Sequence, residues 1–217
     1  MFEGLLPAEV IVVRATDSMW EAPLHPRERA CVARAVPGRL REFAAGRGAA
    51  RQALRQFGVP DAILPCGPHR EVVWPPGFVG SITHCGPECH AAVTRDTVLT
   101  GVGIDVERRA PVDAGMIGLI CTDAEQEFME ELDEDRRRLF PKRVFSAKES
   151  VYKCCFGTVG RFIDFREVEI DWDARMQRFG VRWLAADIGS KLGGMRLQGY
   201  CRLAGDYVVT AAMLGAD

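Results

Sequence analysis

The 217-residue chain contains no apolar run long enough to cross a bilayer, and its N-terminus lacks a basic segment leading into an apolar one. Neither a membrane span nor a secretory leader is expected. With 28 Lys and Arg against 30 Asp and Glu the net charge is −2, so no overall basicity argues for nucleic acid. Eight cysteines stand at irregular spacings without any C-x-x-C, which speaks against a disulfide framework and for a reducing cytoplasm. No internal repeat is present. The composition, 47% hydrophobic and 27% charged, is that of a globular protein long enough for one large domain or two small ones.

What the chain does have is unevenly placed charge. Residues 27–55 carry Arg27, Arg29, Arg34, Arg39, Arg41, Arg47, Arg51 and Arg55 against Glu28 and Glu42 alone, either a solvated helical face or an anion site. Glu9–Arg14 reads as a strand. A helix starts after His25-Pro26, is split at Pro37-Gly38, and resumes to about Phe57, where Gly58 and Pro60 close it. Residues 60–87 are rich in Pro and Gly and read mostly as loop with short strands. Ala91–Thr94 and Val98–Ile104 read as paired strands about Arg95-Asp96, and Arg108–Asp113 as a mid-chain linker. Thr122-Asp-Ala-Glu125 is a capping box, Pro141 suits the first turn of a further helix through Cys155, and three strands follow: Val168–Trp172, Met195–Leu203 and Tyr207–Met213. Helices followed by strands in each half suggest two similar α+β halves.

Two acidic clusters carry the chemistry. In Gly101-Val-Gly-Ile-Asp105-Val-Glu107 the carboxylates fall on one face of a strand. They are either a polar face in water or, on a strand otherwise small and apolar, a pair that needs a cation. In Phe145-Ser-Ala-Lys148-Glu149-Ser-Val-Tyr-Lys153, Glu149 and Lys153 share a helix face, as an ordinary ion pair or as metal and phosphate contacts. Gly80-Ser-Ile-Thr83-His84-Cys85 places His84 on a short strand. The nearby His84, Cys85, Cys89 and His90 do not match the usual zinc spacing.

Taken together, these three ordered motifs resemble those of the 4′-phosphopantetheinyl transferases of the surfactin and enterobactin type. Residues 42–54, with Trp74-Pro75, resemble the enterobactin branch, and the likeness covers roughly residues 24–170. The resemblance implies an α+β pseudo-dimer, halves 1–108 and 109–217, with coenzyme A in the cleft between them. It implies Mg²⁺, with Mn²⁺ as a substitute, on Asp105, Glu107 and Glu149, and catalytic roles for Glu149, Lys153 and His84. Thr83, His84, Lys148 and Lys153 would contact the coenzyme, Arg47 and Arg51 would receive its 3′-phosphate, and His69 or Arg70 its adenosine.

The reaction so implied is attack by a serine of an apo acyl, peptidyl or aryl carrier domain on the β-phosphorus of coenzyme A, releasing 3′,5′-adenosine bisphosphate. Either Glu149 or a metal-held water would take the serine proton. A cytoplasmic monomer serving nonribosomal peptide, siderophore or polyketide synthesis is the accompanying expectation. A metal-dependent phosphohydrolase and a non-catalytic coenzyme A-binding or zinc-stabilised module are the alternatives. Apolar residues within Val112–Ile120 read as a buried core helix, or else as a surface for a carrier helix.

Overall fold

In the computed structural model, which describes residues 1–215, Ile11–Arg14 forms strand β1 and Asp17–Trp20 a short helix α1. His25 caps α2, Pro26–Arg29: its ring accepts the Arg27 N–H while Glu28 accepts the His25 N–H. A 3₁₀ turn at Ala30–Val32 follows. Val36, held extended by the proline after it, separates that turn from α3, Pro37–Gln56. The interruption at Pro37 is therefore the one the sequence indicated. Ala49, Ala50, Ala53 and Leu54 of α3 lie against Val13, Ala91 and Val93, small side chains letting the helix sit close on the sheet.

That sheet is antiparallel, in the order β1, β3, β2, with β2 at Phe78–Cys85 and β3 at Glu88–Arg95. The next strand, β4 at Gly101–Arg108, does not pair with β3, contrary to the sequence reading. Both edges of β3 are taken, Val93 standing opposite Ile11 on one side and Gly80 on the other. β4 instead pairs with the last strand of a second, five-stranded sheet.

The second half begins with α4, Ala114–Ile120, and α5, Asp123–Glu130, the latter opened by the expected Thr122–Glu125 capping box. The long helix α6 runs Glu134–Val159, and buried Pro141 lies inside it rather than in its first turn. Asp133 provides the earlier start: its carboxylate accepts the Arg136 N–H at 2.9 Å, and Glu134 and Asp135 favour the positive helix end. Gly160, in the left-handed conformation at φ +71°, ends it. Beyond a 3₁₀ turn at Phe165–Glu167 come β5 (Val168–Trp172), β6 (Arg178–Trp183), α7 (Ala186–Leu192), β7 (Arg196–Ala204) and β8 (Tyr207–Gly215). The sheet order is β4-β8-β7-β6-β5, antiparallel throughout. β6 and α7 were not foreseen, although Phe179, Val181 and Trp183 alternate as a half-buried strand should.

The chain is thus α+β, two halves each pairing a long helix with an antiparallel sheet. β4 welds them. Val102, Ile104 and Val106 pack with Val209, Ala211 and Ala92 between the sheets. The free edge of β4 is closed by hydroxyls of β2: the Ile104 N–H donates to Ser81 Oγ at 3.0 Å and the Val106 N–H to Thr83 Oγ1 at 3.1 Å. β4 therefore belongs to the second sheet by backbone pairing, while side chains of β2 tie it to the first half.

Candidate active site

The opposite face of β4 reads Gly101, Gly103, Asp105, Glu107, and the glycines explain the close approach of α6. A Cβ on Gly101 would stand 2.1 Å from the Cys154 carbonyl oxygen, and one on Gly103 1.8 Å from that of Ser150. One helical turn further, at Ser146, the row reaches Asp105: Ser146 Oγ donates to Asp105 Oδ2 at 2.8 Å. Strand steps of two residues thus meet helix steps of four, and the first side chain beyond the glycines is a buried carboxylate.

Asp105 Oδ1 accepts from Lys153 Nζ at 2.6 Å and from Thr83 Oγ1 at 3.3 Å. Glu107 pairs with Lys142 at 3.1 Å, and Glu149 stands 3.8 Å from Lys153. Burial, then the nearby Asp105 charge, raises the carboxyl pKa of Glu107 above its ordinary value. Burial also raises that of Glu149, with Asp105 and Glu107 adding to the rise against the pull of Lys153. Burial works against the Lys153 ammonium, yet Asp105 and Glu149 together lift its pKa. Asp105, Glu107, Glu149 and Lys153 line one cavity of about 400 Å³ between the halves, together with Arg39, Arg47, Arg70, Thr83 and His84.

His84 contacts Arg39 through Nε2 and lies 3.6 Å from Glu42 through Nδ1; burial lowers its pKa. Thr83 lines the cavity, but its hydroxyl is committed to Asp105 and to the Val106 N–H. Arg47 reaches the cavity wall over the Phe43 ring, with Nε donating to the Leu64 carbonyl at 2.7 Å and Nη2 to Cys66 Sγ at 3.4 Å. An adjoining cavity of about 580 Å³ carries His69 and Arg70, and Arg70 and Lys153 border both.

Two residues expected at the site are elsewhere. Arg51 donates to fully buried Glu28 at 2.7 Å, and the same carboxylate accepts the Leu64 N–H. Lys148 turns into the second half, donating to the Ile120 and Phe165 carbonyls and to Glu125 at 2.7 Å. On a helix, Lys148 cannot share the face of Glu149 and Lys153. Conversely, Ser146 and Lys142 were not singled out from sequence as site residues, and Arg39 only as one of the basic stretch. Lys142 precedes Glu149 by two helical turns, so the 3.6-residue period was a usable signal for it.

Among the described residues, no three His, Cys, Asp or Glu side chains already form a metal-binding set. The ammonium groups of Lys142 and Lys153 stand against the carboxylates instead.

Residues 27–94 match the family described as 4′-phosphopantetheinyl transferase N-terminal domain, and residues 101–212 match the 4′-phosphopantetheinyl transferase superfamily. The chain belongs to that superfamily. It is 37% identical over 204 residues to the 4′-phosphopantetheinyl transferase Svp of Streptomyces mobaraensis, covering 92% of this chain and 82% of the relative. It is 32% identical over 225 residues to PptT of Mycobacterium tuberculosis, covering 99% and 94%. To enterobactin synthase component D of Escherichia coli it is 33% identical over 155 residues, covering 67% and 71%. The protein is a 4′-phosphopantetheinyl transferase: it moves the phosphopantetheine arm of coenzyme A onto carrier proteins. None of its described helices is long and apolar enough to cross a membrane.

Proposed function

We propose that the 400 Å³ cavity holds the pyrophosphate of coenzyme A and that Asp105, Glu107 and Glu149 hold Mg²⁺ against it. The observation carrying this is the convergence of two β4 carboxylates with Glu149 and Lys153 of α6 on one cavity wall. Three hard oxygen donors suit that ion, and burial, with the Asp105 charge adding to it, disfavours the ionised forms of Glu107 and Glu149, which a cation would offset. Bound there, Mg²⁺ would neutralise charge on the phosphates.

The chain's own groups do the remainder. Lys153 faces the charge that grows on the leaving phosphate, and His84 with Arg39 adds a second donor pair across the cavity. Glu149, or a metal-held water beside it, receives the proton of the carrier serine. Arg47 is the candidate for the 3′-phosphate, and Arg70, bordering both cavities, for the nucleotide end. Arg51 and Lys148 are reassigned to scaffolding.

The halves 1–108 and 109–217 remain the working division, with β4 shared between them. The carrier would dock along α4. Only Ile120 of that helix is buried, whereas Met116 and Leu119 are 44% and 60% exposed, so the buried-core reading of this segment does not hold. Ile117 packs against the same apolar cluster as Phe145, which borders the cavity. Acyl, peptidyl and aryl carriers all fit this reading. Incubation with coenzyme A, Mg²⁺ and an apo carrier should add one phosphopantetheine to the carrier mass. Cleavage of coenzyme A without a carrier would favour a phosphohydrolase instead.

A further inference from the structure

Of the eight free cysteines among the described residues, Cys89, Cys121, Cys154, Cys155 and Cys201 are buried. Cys31, Cys66 and Cys85 are partly exposed, and of these Cys31 and Cys66 meet although far apart in sequence. Cys31 lies in the 3₁₀ turn after α2, and Cys66 begins a small bridge to Val72. The Cys66 N–H donates to Cys31 Sγ at 3.1 Å. Buried Glu28 clamps the two segments beside this contact by accepting the Leu64 N–H at 2.9 Å. Arg47 Nη2 donates to Cys66 Sγ at 3.4 Å. Cys31 Sγ is thus held against the Cys66 backbone by an arrangement already fixed, with a guanidinium beside Cys66 Sγ.

We propose that Cys31 and Cys66 are a reversible dithiol–disulfide site whose co-reactant is a low-molecular-weight disulfide. The Cys31 thiolate attacks one sulfur of the small disulfide, forming a mixed disulfide and expelling one thiolate, which takes up a proton. Cys66 then loses its proton, attacks Cys31 Sγ and expels the second small thiolate. Two protein thiols are oxidised, one small disulfide is reduced to two thiols, and no other reagent is consumed. Burial and the hydrogen bond to Cys31 push the Cys66 thiol up to about 11, which suits it to the second step. There Arg47, donating to Cys66 Sγ, is placed to stabilise the attacking Cys66 thiolate.

The consequence reaches the cleft. Closing the bond draws Cys66 Sγ toward Cys31 and away from Arg47, which also lines the coenzyme cavity. This part rests on that cavity being the coenzyme A site, which the activity of the reduced enzyme tests separately.

The experiment is treatment of the full chain with glutathione disulfide at mildly alkaline pH, followed by peptide mapping and thermal melting. The expected product is a Cys31–Cys66 linked peptide without retained glutathione. Closing that loop should raise the Tm on the order of 5–10 °C, reversibly with dithiothreitol. Cys66→Ser should keep one glutathione on Cys31 and show no such rise. Cys31→Ser should leave Cys66 unmodified. A lasting glutathione adduct on the wild-type pair, absence of the linked peptide, or an equal Tm rise in Cys66→Ser would overturn the site. The disulfide form should show a KM for coenzyme A raised at least threefold; an unchanged KM beside a confirmed linkage would overturn the coupling through Arg47.

Discussion

Lys153 on α6 places its ammonium 2.6 Å from Asp105 Oδ1 on β4, so the second half's helix and the shared strand are latched by opposite charges at the cavity wall. A cation held by Asp105 would compete with Lys153 for that carboxylate, leaving the ammonium free to face the phosphates. Asp105→Asn should accordingly cut transfer to an apo carrier by roughly 10²–10³-fold. Mg²⁺ alone should raise the Tm of the parent protein and leave that of Asp105→Asn unmoved. Near-normal transfer by the variant, or an identical Mg²⁺ shift in both, would contradict the assignment.

Arg47 and Arg51 sit one helical turn apart yet should behave differently. Arg47→Ala should raise the KM for coenzyme A and scarcely affect dephospho-coenzyme A. Arg51→Ala strands fully buried Glu28 and should cost about 3 kcal/mol of stability while leaving the KM for coenzyme A unchanged. Chemical denaturation of both variants, beside steady-state kinetics, separates the two roles.

Lys148 should prove a scaffold residue. Its ammonium ties the end of α4, the 3₁₀ turn and Glu125, whose carboxylate also accepts the Thr122 and Ile170 N–H groups. Lys148→Met should destabilise by about 3–5 kcal/mol through the unpaired Glu125. Adding Glu125→Gln should return part of that loss. A fully folded Lys148→Met with weakened coenzyme A binding would restore the cofactor role instead.

Gly103→Ala should be far worse than an ordinary surface change. Its methyl would lie 1.8 Å from the Ser150 carbonyl oxygen, where backbone rather than a flexible side chain must yield. A loss of about 3 kcal/mol is expected, with transfer falling as α6 is pushed from Asp105. Circular dichroism melts and the carrier mass assay read the two effects.

The Arg161 cluster should contribute to acid sensitivity. The Arg161 hydrogen bond holds the Glu167 carboxyl below its ordinary 4.5, and Arg161 likewise depresses Asp187. Because the folded values are lowered, this stabilisation is complete above the ordinary carboxylate range and disappears as pH falls through the folded values. Glu167→Gln should therefore lower the Tm near neutral pH, with the gap to the parent closing in strong acid. A gap that persists there would rule the linkage out.

Much of the site could be read from the sequence because its residues are locally patterned. Asp105 and Glu107 share a strand face by the two-residue period, and Glu149 and Lys153 a helix face by the four-residue one, so their convergence needed only the two elements to meet. Arg51 and Lys148 escaped because their partners, Glu28 and Glu125, lie 23 residues away and belong to no common period. β4 was assigned to β3 because turn residues separate them, whereas edge availability, a tertiary property, decided the pairing. α6 began earlier than Pro141 suggested because a good cap at Asp133 outweighed a proline placed where the helix could absorb it.

The partner of β4 is the last described strand: Asp105 lies opposite Thr210, and Thr210 Oγ1 also donates to the Ser146 carbonyl at 2.8 Å. During synthesis, then, the carboxylates of β4 can be translated long before they have a sheet to stand in. The ribosome must deliver the strand through Gly215 before the catalytic wall can close. A chain lacking β8 would leave β4 with an unpaired edge, so the wall that carries Asp105 depends on a strand made long after it.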